Sequence, residues 1–238
     1  MSDDVWFVTG SSRGVGRSIV EAALAAGNRV AATDWWTAGL DDLIADHGSR
    51  LQLIDLDVTD AEECSIAMGR CVDRFGSVDV VVNNAGYADS APIEEMALKE
   101  FVAQVDVVFY GTVFVTKAAI PYFRSQGSGY FVQVASVGGG ATQPGLGAYQ
   151  SAKFAVDGFF GVLRRELQPF GIRVTVAEPG SMHSDHAGDS GSPPVDPGTM
   201  ARVLVELADD PEPPPHLLLG SNAIGIVEDR RSMDYAAE

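Results

Sequence analysis

A tyrosine and a lysine stand four residues apart in the segment GAYQSAKFAV, which begins at Gly147. Four residues is close to one helical turn, so Tyr149 and Lys153 would share one face of a helix. A phenol with a pKa near 10 is a poor base at neutral pH, and a neighbouring ammonium favours the phenolate. The pair is therefore either a reactive centre or the ordinary first turn of an amphipathic helix. Spacing alone favours the ordinary helix, so the rest of the chain must decide.

Three glycines lie near the start of the chain, in the segment VTGSSRGVGRS. Gly10, Gly14 and Gly16 fall between a short apolar run and a helical pattern. Glycine lets the backbone turn tightly and approach a pyrophosphate, and a helix N-terminus favours the negative charge. A glycine trio alone is weak evidence. Its position at a strand–turn–helix junction makes it typical of a dinucleotide-binding loop.

An acidic residue, Asp34, ends the second predicted strand, eighteen residues after Gly16. A carboxylate there is suited to accept hydrogen bonds from the hydroxyls of an adenosine ribose and to repel a 2′-phosphate. The alternative is a surface aspartate in a turn, and the glycine loop favours ribose recognition. Trp35 and Trp36 follow, and the sequence leaves open whether they flank the adenine or cover the sheet edge.

Short apolar runs alternate with helical patterns along the chain, and seven of these runs read as strands. Runs that are apolar on both faces indicate parallel strands covered by helices on both sides, and right-handed crossovers then give a doubly wound α/β fold. We predict a single Rossmann-type domain over residues 1–238 with a seven-stranded, mostly parallel sheet. Its cofactor half is about 1–135 and its catalytic and substrate half about 136–238.

Two further helices are predicted between the strands. TAGLDDLIADHG has the spacing of a helix between the second and third strands. A longer helical segment runs roughly from Ala97 to Phe123, and Pro121 must bend or end it because proline lacks an N–H and clashes with the preceding turn.

Further small and polar residues follow other predicted strands. Asp57 and Val58 end the third strand, and NNAG, Asn83 to Gly86, ends the fourth. These positions fall at the carboxyl ends of parallel strands, which is where doubly wound folds bind ligands. Several motifs at one edge of one sheet make a stronger case for a ligand site than any one of them.

Composition limits the classes of partner. The formal net charge is −17, which argues against nucleic acid and against an anionic membrane surface. Cys64 and Cys71 are seven apart on a predicted helix, too far to form a disulfide, so we expect two free buried thiols. The N-terminus lacks the features of a signal peptide, and no stretch looks apolar enough for long enough to span a membrane. The sequence therefore predicts a cytoplasmic protein.

Together, these motifs resemble the short-chain dehydrogenases/reductases. The resemblance runs from about Val5 to Gly220 and rests on TGSSRGVG, LDVTD, NNAG, the set Ser136, Tyr149 and Lys153, and EPG at 178–180. It implies an oxidoreductase that interconverts a secondary alcohol and a ketone with NAD or NADP, a ketoreductase in one direction. It also implies a homodimer or homotetramer formed through the fourth and fifth helices.

The resemblance implies a role for each residue of the reactive set. Tyr149 would be the general acid or base, Lys153 would lower its pKa and hold the nicotinamide ribose, and Ser136 would hydrogen-bond the substrate oxygen. The implied cofactor-binding residues are Gly10, Ser12, Arg13, Gly14, Val15, Gly16, Asp34, Asp57, Val58, Asn84, Ala85, Gly86, Tyr149, Lys153, Pro179, Gly180, Met182 and Ser184.

Two features depart from the family pattern. Val108 occupies the position of an asparagine that, in the family, holds a water linking the lysine to solvent, and valine has no hydrogen-bonding group. The segment after Ser181 is short, so we expect an open substrate site. The loop residues His183, Asp185 and His186 are expected to be solvated, and no metal site is predicted.

The choice of cofactor rests on two residues with opposite preferences. Arg13 is of a type that NADP-preferring relatives use for the 2′-phosphate, whereas Asp34 would lie directly against the ribose. Since repulsion between like charges is strongest at short range, the sequence favours NAD.

Three functions remain open. The leading hypothesis is the oxidoreductase. A dinucleotide-binding sensor or scaffold with impaired catalysis is the alternative that Val108 motivates, and non-redox chemistry on the same fold is a third. The substrate is a small alcohol or ketone that the sequence does not identify.

Overall fold

The computed structural model describes residues 3–135, 143–180, 195–220 and 223. Seven parallel strands form one sheet in the order β3-β2-β1-β4-β5-β6-β7. The strands are β1 (Val5–Thr9), β2 (Arg29–Asp34), β3 (Leu51–Asp55), β4 (Val80–Asn83), β5 (Gly129–Val134), β6 (Ile172–Pro179) and β7 (His216–Leu219). The order reverses between β1 and β4, and the predicted doubly wound architecture is confirmed.

Helices cover both faces of this sheet. They are α1 (Gly14–Ala25), α2 (Ile44–His47), α3 (Ala61–Phe75), α4 (Leu98–Val105), α5 (Gly111–Gln126), α6 (Gly147–Leu167) and α7 (Pro197–Ala208). The apolar side chains of α3, α5 and α6 form a core on one face, and those of α1 and α7 form a core on the other. Every residue of β1 is buried, because both sides of the strand meet a helix layer.

Two elements are shorter than predicted. The segment expected as one helix after β2 is a 3₁₀ helix, Thr37–Leu43, followed by the single turn of α2. Strand β3 ends at Asp55, so Asp57 and Val58 lie in the following loop. Asp57 Oδ1 accepts hydrogen bonds from the amide and hydroxyl of Thr59, a turn that draws the backbone away from the strand.

The long helical segment differs in its interior and at its end. It runs from Leu98 to Gln126, with a π-helical stretch at Asp106–Tyr110. The sequence predicted a helix to about Phe123 that Pro121 bends or ends. The helix instead continues past Pro121 to Gln126, so the predicted end was wrong. Pro121 lies on the exposed side of α5, where water can hydrate the carbonyl that lacks a helical donor.

The same segment also corrects the expectation that no stretch could span a membrane. Leu98–Gln126 covers 29 residues and contains an 18-residue window with a mean hydropathy of 1.3, enough by length and composition alone. In the fold, Val115, Ala119 and Phe123 of this segment pack in the core beneath the sheet. Core helices pass the same compositional test, so the finding is weak evidence for a membrane.

The two cysteines are free and buried in α3, as predicted. Burial is the main cause that raises the pKa of each thiol to about 12. Cys64 and Cys71 are therefore neutral thiols that pack as small apolar side chains.

Candidate active site

The glycine loop between β1 and α1 is packed against the end of β4. Gly10 and Gly14 have positive φ, +64° and +56°. A Cβ on Gly10 would lie 2.8 Å from the Cα of Ala85, and a Cβ on Gly16 would lie 2.0 Å from the carbonyl oxygen of Gly10. These contacts exclude side chains at both positions, so the sequence pattern has a direct steric cause.

Asn84 fixes this loop from the neighbouring strand. Its Nδ2 donates to the carbonyl oxygens of Thr9 and Gly10, at 3.0 and 2.9 Å. The amides of Asn84 and Ala85 donate in turn to the hydroxyl of Thr9. Asn84 was predicted only as a cofactor contact, and Thr9 was not singled out. The signal for Thr9 is a hydroxyl at the last position of an otherwise apolar strand.

Asp34 is tied to the same loop. Its Oδ2 accepts from the backbone amide and the hydroxyl of Ser12, at 2.8 and 2.7 Å, and its Oδ1 accepts from the amide of Trp35 at 2.7 Å. The carboxylate is thus held in one orientation beside the loop. Trp35 and Trp36 are exposed by 79% and 71%, and Trp35 lines the cleft next to Asp34.

One cleft of about 440 Å³ runs along the carboxyl edge of the sheet. It brings together most of the predicted site residues: Gly10, Arg13, Gly14, Val15, Asp34, Asp57, Val58, Asn84, Ala85, Gly86, Tyr149 and Lys153. It also contains residues that the sequence analysis did not assign to the site: Trp35, Leu56, Tyr87, Val107, Val134 and Ala135. The unassigned residues are apolar or aromatic neighbours of the motifs, with no chemical pattern of their own.

Some predicted site residues lie elsewhere. Ser12 and Gly16 support the loop from behind, and Pro179 and Gly180 are buried at the end of β6 without lining this cleft. Ser136, Met182 and Ser184 lie outside the described residues, as does the short segment with His183, Asp185 and His186.

Tyr149 and Lys153 meet inside the cleft. Both stand near the start of α6, and Lys153 Nζ lies 5.5 Å from the centroid of the Tyr149 ring. Lys153 is only 5% exposed, and its Nζ donates to the carbonyl oxygen of Val134 at 2.8 Å. Burial lowers the pKa of Lys153 from 10.5 to about 8. An ordinary amphipathic first turn would leave this ammonium in water, so the reactive-centre hypothesis explains the geometry better.

Val108 packs as a core residue within the π-helical stretch. It is 1% exposed, and its Cγ2 lies 3.3 Å from the position that a Cβ on Gly86 would take. Its carbonyl oxygen accepts from the hydroxyl of Thr112 at 2.8 Å. Gln104, a polar neighbour, is buried and accepts from the amide of Asp89, so it does not stand in for an amide at position 108.

Comparison with known proteins agrees with this architecture. Residues 4–193 match the family model for short chain dehydrogenases. Oxidoreductase BOA17 of Botryotinia fuckeliana is 40% identical over 92% of this chain and 90% of its own length. A trans-4-hydroxycyclohexanecarboxylate dehydrogenase of Sinomonas cyclohexanicum is 29% identical over 76% of this chain and 73% of its own length.

A solved structure extends the match to three dimensions. A short-chain dehydrogenase from Streptomyces avermitilis superposes with a TM-score of 0.91 at 33% identity, covering 99% of this chain and 95% of that one. This chain therefore belongs to the short-chain dehydrogenase family and is an oxidoreductase of that family.

The family generally uses NAD(P), and the residues of the cleft fit such a dinucleotide. Beside Gly14 there is nothing within 4 Å of where a Cβ would be, so the backbone at the start of α1 is open to a ligand. The first turn of α1 carries no acidic side chain to oppose a pyrophosphate. Asp34 adds a fixed acceptor for hydroxyl groups at one end of the cleft.

The buried ammonium leads to a prediction about the free energy of unfolding of the cofactor-free protein. Lowering the pKa from 10.5 to about 8 corresponds to roughly 3 kcal/mol of unfavourable free energy at neutral pH. Lys153→Met keeps the apolar stem and removes the charge, and Val134 still accepts from Gln133 Nε2. We expect the variant to unfold at higher urea concentration than the wild type at pH 7.

The direction of this stability difference can be checked by varying the pH. Below pH 8 the folded and unfolded chains both carry the charge, so the folded state bears the full penalty. Between pH 8 and 10.5 Lys153 is mostly neutral in the folded chain and still charged in the unfolded chain. The stability advantage of Lys153→Met should therefore shrink as the pH rises through this window. An advantage of the same size at pH 7 and pH 10 would contradict the argument.

Proposed function

We propose that this protein is an NAD(P)-dependent oxidoreductase that interconverts a secondary alcohol and a ketone. The observation that carries the proposal is the Tyr149 phenol and buried Lys153 ammonium in one cleft with the glycine loop. The name of the Sinomonas relative, a dehydrogenase of a hydroxycyclohexane carboxylate, supports an alcohol as the substrate class.

Each residue of the pair has a separate task. Tyr149 gives a proton to the substrate oxygen during reduction, or takes one from the hydroxyl during oxidation, at its Oη. The Lys153 ammonium beside the ring stabilises the phenolate and so favours this transfer. Ser136, by resemblance to the family, orients the substrate oxygen. The nicotinamide, when bound, supplies the hydride chemistry.

The fixed carboxylate of Asp34 supports NAD as the cofactor. Ser12 and the amide of Trp35 hold Asp34 at the rim of the cleft, so it cannot turn away from a 2′-phosphate without losing three hydrogen bonds. Arg13 lines the same cleft but is exposed, and its charge is screened by water. The carboxylate therefore dominates the preference.

A dinucleotide-binding sensor with impaired catalysis is a second candidate. Val108 favours it, since this buried side chain provides no group to connect Lys153 with solvent. This candidate predicts cofactor binding without turnover. The oxidoreductase hypothesis predicts cofactor binding together with turnover.

The role of Tyr149 can be tested by removing its hydroxyl. Tyr149→Phe should lower kcat/KM at least about 100-fold, as expected for loss of a general acid or base. NAD affinity measured by calorimetry should change little. Tyr122→Phe, on α5 and away from the cleft, is the matched control and should keep full turnover.

A broad panel of alcohols and ketones with NAD(H) and NADP(H) decides between the two candidates. Turnover by the wild type that Tyr149→Phe abolishes supports the oxidoreductase. Tight cofactor binding with no turnover on any member of the panel supports the sensor.

The cofactor preference can be tested at Asp34. Asp34→Asn keeps an acceptor oxygen and removes the charge, so affinity for NADP relative to NAD should rise about tenfold. Asp46→Asn removes an exposed charge outside the cleft and should leave the ratio unchanged. Equal ratios in the wild type and Asp34→Asn, measured by calorimetry, would show that Asp34 does not set the preference.

A further inference from the structure

Two amide side chains lie side by side beneath the cleft, at the ends of neighbouring strands. Asn83 ends β4 and Gln133 lies near the end of β5, and the two are partners in the strand register. Each is 2% exposed. Both point to the face of the sheet covered by α5 and α6, because they follow the buried residues Val81 and Phe131 at a spacing of two.

Each amide is held at its nitrogen. Asn83 Nδ2 donates to the hydroxyl of Thr116 at 3.1 Å, and Gln133 Nε2 donates to the carbonyl oxygen of Val134 at 2.9 Å. The oxygens Asn83 Oδ1 and Gln133 Oε1 are shielded from solvent and receive no hydrogen bond within the described part of the chain. An acceptor left in this state is unfavourable, so buried carbonyl oxygens of this kind indicate a donor close by.

The Lys153 ammonium supplies a surplus of donors at the same place. It carries three N–H groups, and the described structure gives it one acceptor, the carbonyl oxygen of Val134. Gln133 Nε2 donates to that same oxygen. Because Lys153 Nζ and Gln133 Nε2 lie 2.8 and 2.9 Å from the same oxygen, the ammonium and the Gln133 amide are close neighbours.

We propose that Gln133 and Asn83 form a buried amide site that holds Lys153 in its charged form. In this site the oxygens of the two amides accept, through a buried water, the N–H groups that Lys153 does not give to Val134. Gln133 and Asn83 are then positioning residues that act through Lys153. The polar support of the ammonium comes from the sheet beneath it, rather than from the helix that contains Val108.

The proposal has a physical consequence that does not depend on catalysis. A hydrogen bond to the charged form of a lysine raises its pKa, which opposes the lowering caused by burial. Without the amide oxygens, the ammonium would lose its proton at lower pH still. Removal of Gln133 should therefore cost stability through Lys153 while Lys153 is charged, and much less once it is neutral.

A double-mutant cycle in the cofactor-free protein tests this coupling. Gln133→Leu, Lys153→Met and the double variant are unfolded in urea at pH 7 and at pH 9.5. At pH 7, Gln133→Leu should lower the urea midpoint by about 0.5 M more with Lys153 present than with Met at 153. At pH 9.5, where folded Lys153 is mostly neutral, that difference should shrink. The same midpoint shift in both backgrounds at both pH values overturns the proposal.

Two further variants keep the test decisive. Thr116→Val frees the nitrogen end of Asn83 and should show a coupling of the same sign, so it replaces Gln133→Leu if that variant does not fold. Gln104→Leu is the matched control, because Gln104 is equally buried but pairs with the amide of Asp89. It should cost stability equally in both Lys153 backgrounds.

The catalytic part of the inference rests on the proposed function and has its own measurement. In ketone reduction, the alkaline limb of the kcat/KM profile should move to lower pH in Gln133→Leu, and Gln133→Asn should restore it. Gln104→Leu should leave the limb in place. An unmoved limb in Gln133→Leu overturns the catalytic part.

The two failures are distinguishable. If the wild type shows no turnover, the proposed function fails and the unfolding cycle still reports the coupling. If turnover is present and the cycle shows no coupling, the amide site fails and the proposed function stands.

Discussion

Burial of one ammonium group is the constraint on which the site depends. Lys153 lines the cleft but is only 5% exposed, with a pKa lowered to about 8, and an isolated charge in that position is unfavourable. The fold offsets part of this cost with the carbonyl oxygen of Val134 at the end of β5. The remaining unfavourable free energy accompanies a stronger electrostatic effect, since a desolvated ammonium acts more strongly on the neighbouring phenol than a hydrated one. Stability is thus lower at the point where the proposed proton transfer by Tyr149 would use a strong electrostatic effect.

The other half of the cleft is built by a different constraint, the close approach of two strand ends. The order of the sheet places β1 beside β4, so the glycine loop after β1 lies against Asn84 and Ala85. No side chain fits between them at Gly10, and Asn84 bonds the carbonyl groups that face it. Asp34 then fixes the outer side of the loop through Ser12. These contacts hold the loop in place without a ligand, which reduces the entropy lost on binding.

The sequence predicted the strands, the helix layers and most of the cleft, because those depend on local patterns. Apolar runs identify buried strands, and parallel strands bring their carboxyl ends to one edge whatever their order. Side-chain partners were not predictable in this way. That Asn84 supports the loop depends on contacts 75 residues apart in sequence, and that Asn83 stands beside Gln133 depends on the pairing of β4 with β5. The continuation of α5 through Pro121 likewise depends on which side of the helix faces solvent, which the local rule for proline does not contain.

Val108 is better understood from its surroundings than from its departure from a family pattern. An amide at this position would need partners, yet Gly86 lies against the side chain and Thr112 already bonds the carbonyl group. Valine fills the space without adding an unpaired polar group to a buried stretch of π helix. The amide groups that we propose as support for Lys153 lie instead on β4 and β5, as partners in the strand register. In the proposed amide site, the partners of the buried charge lie on neighbouring central strands of the sheet, where the strand register fixes their spacing.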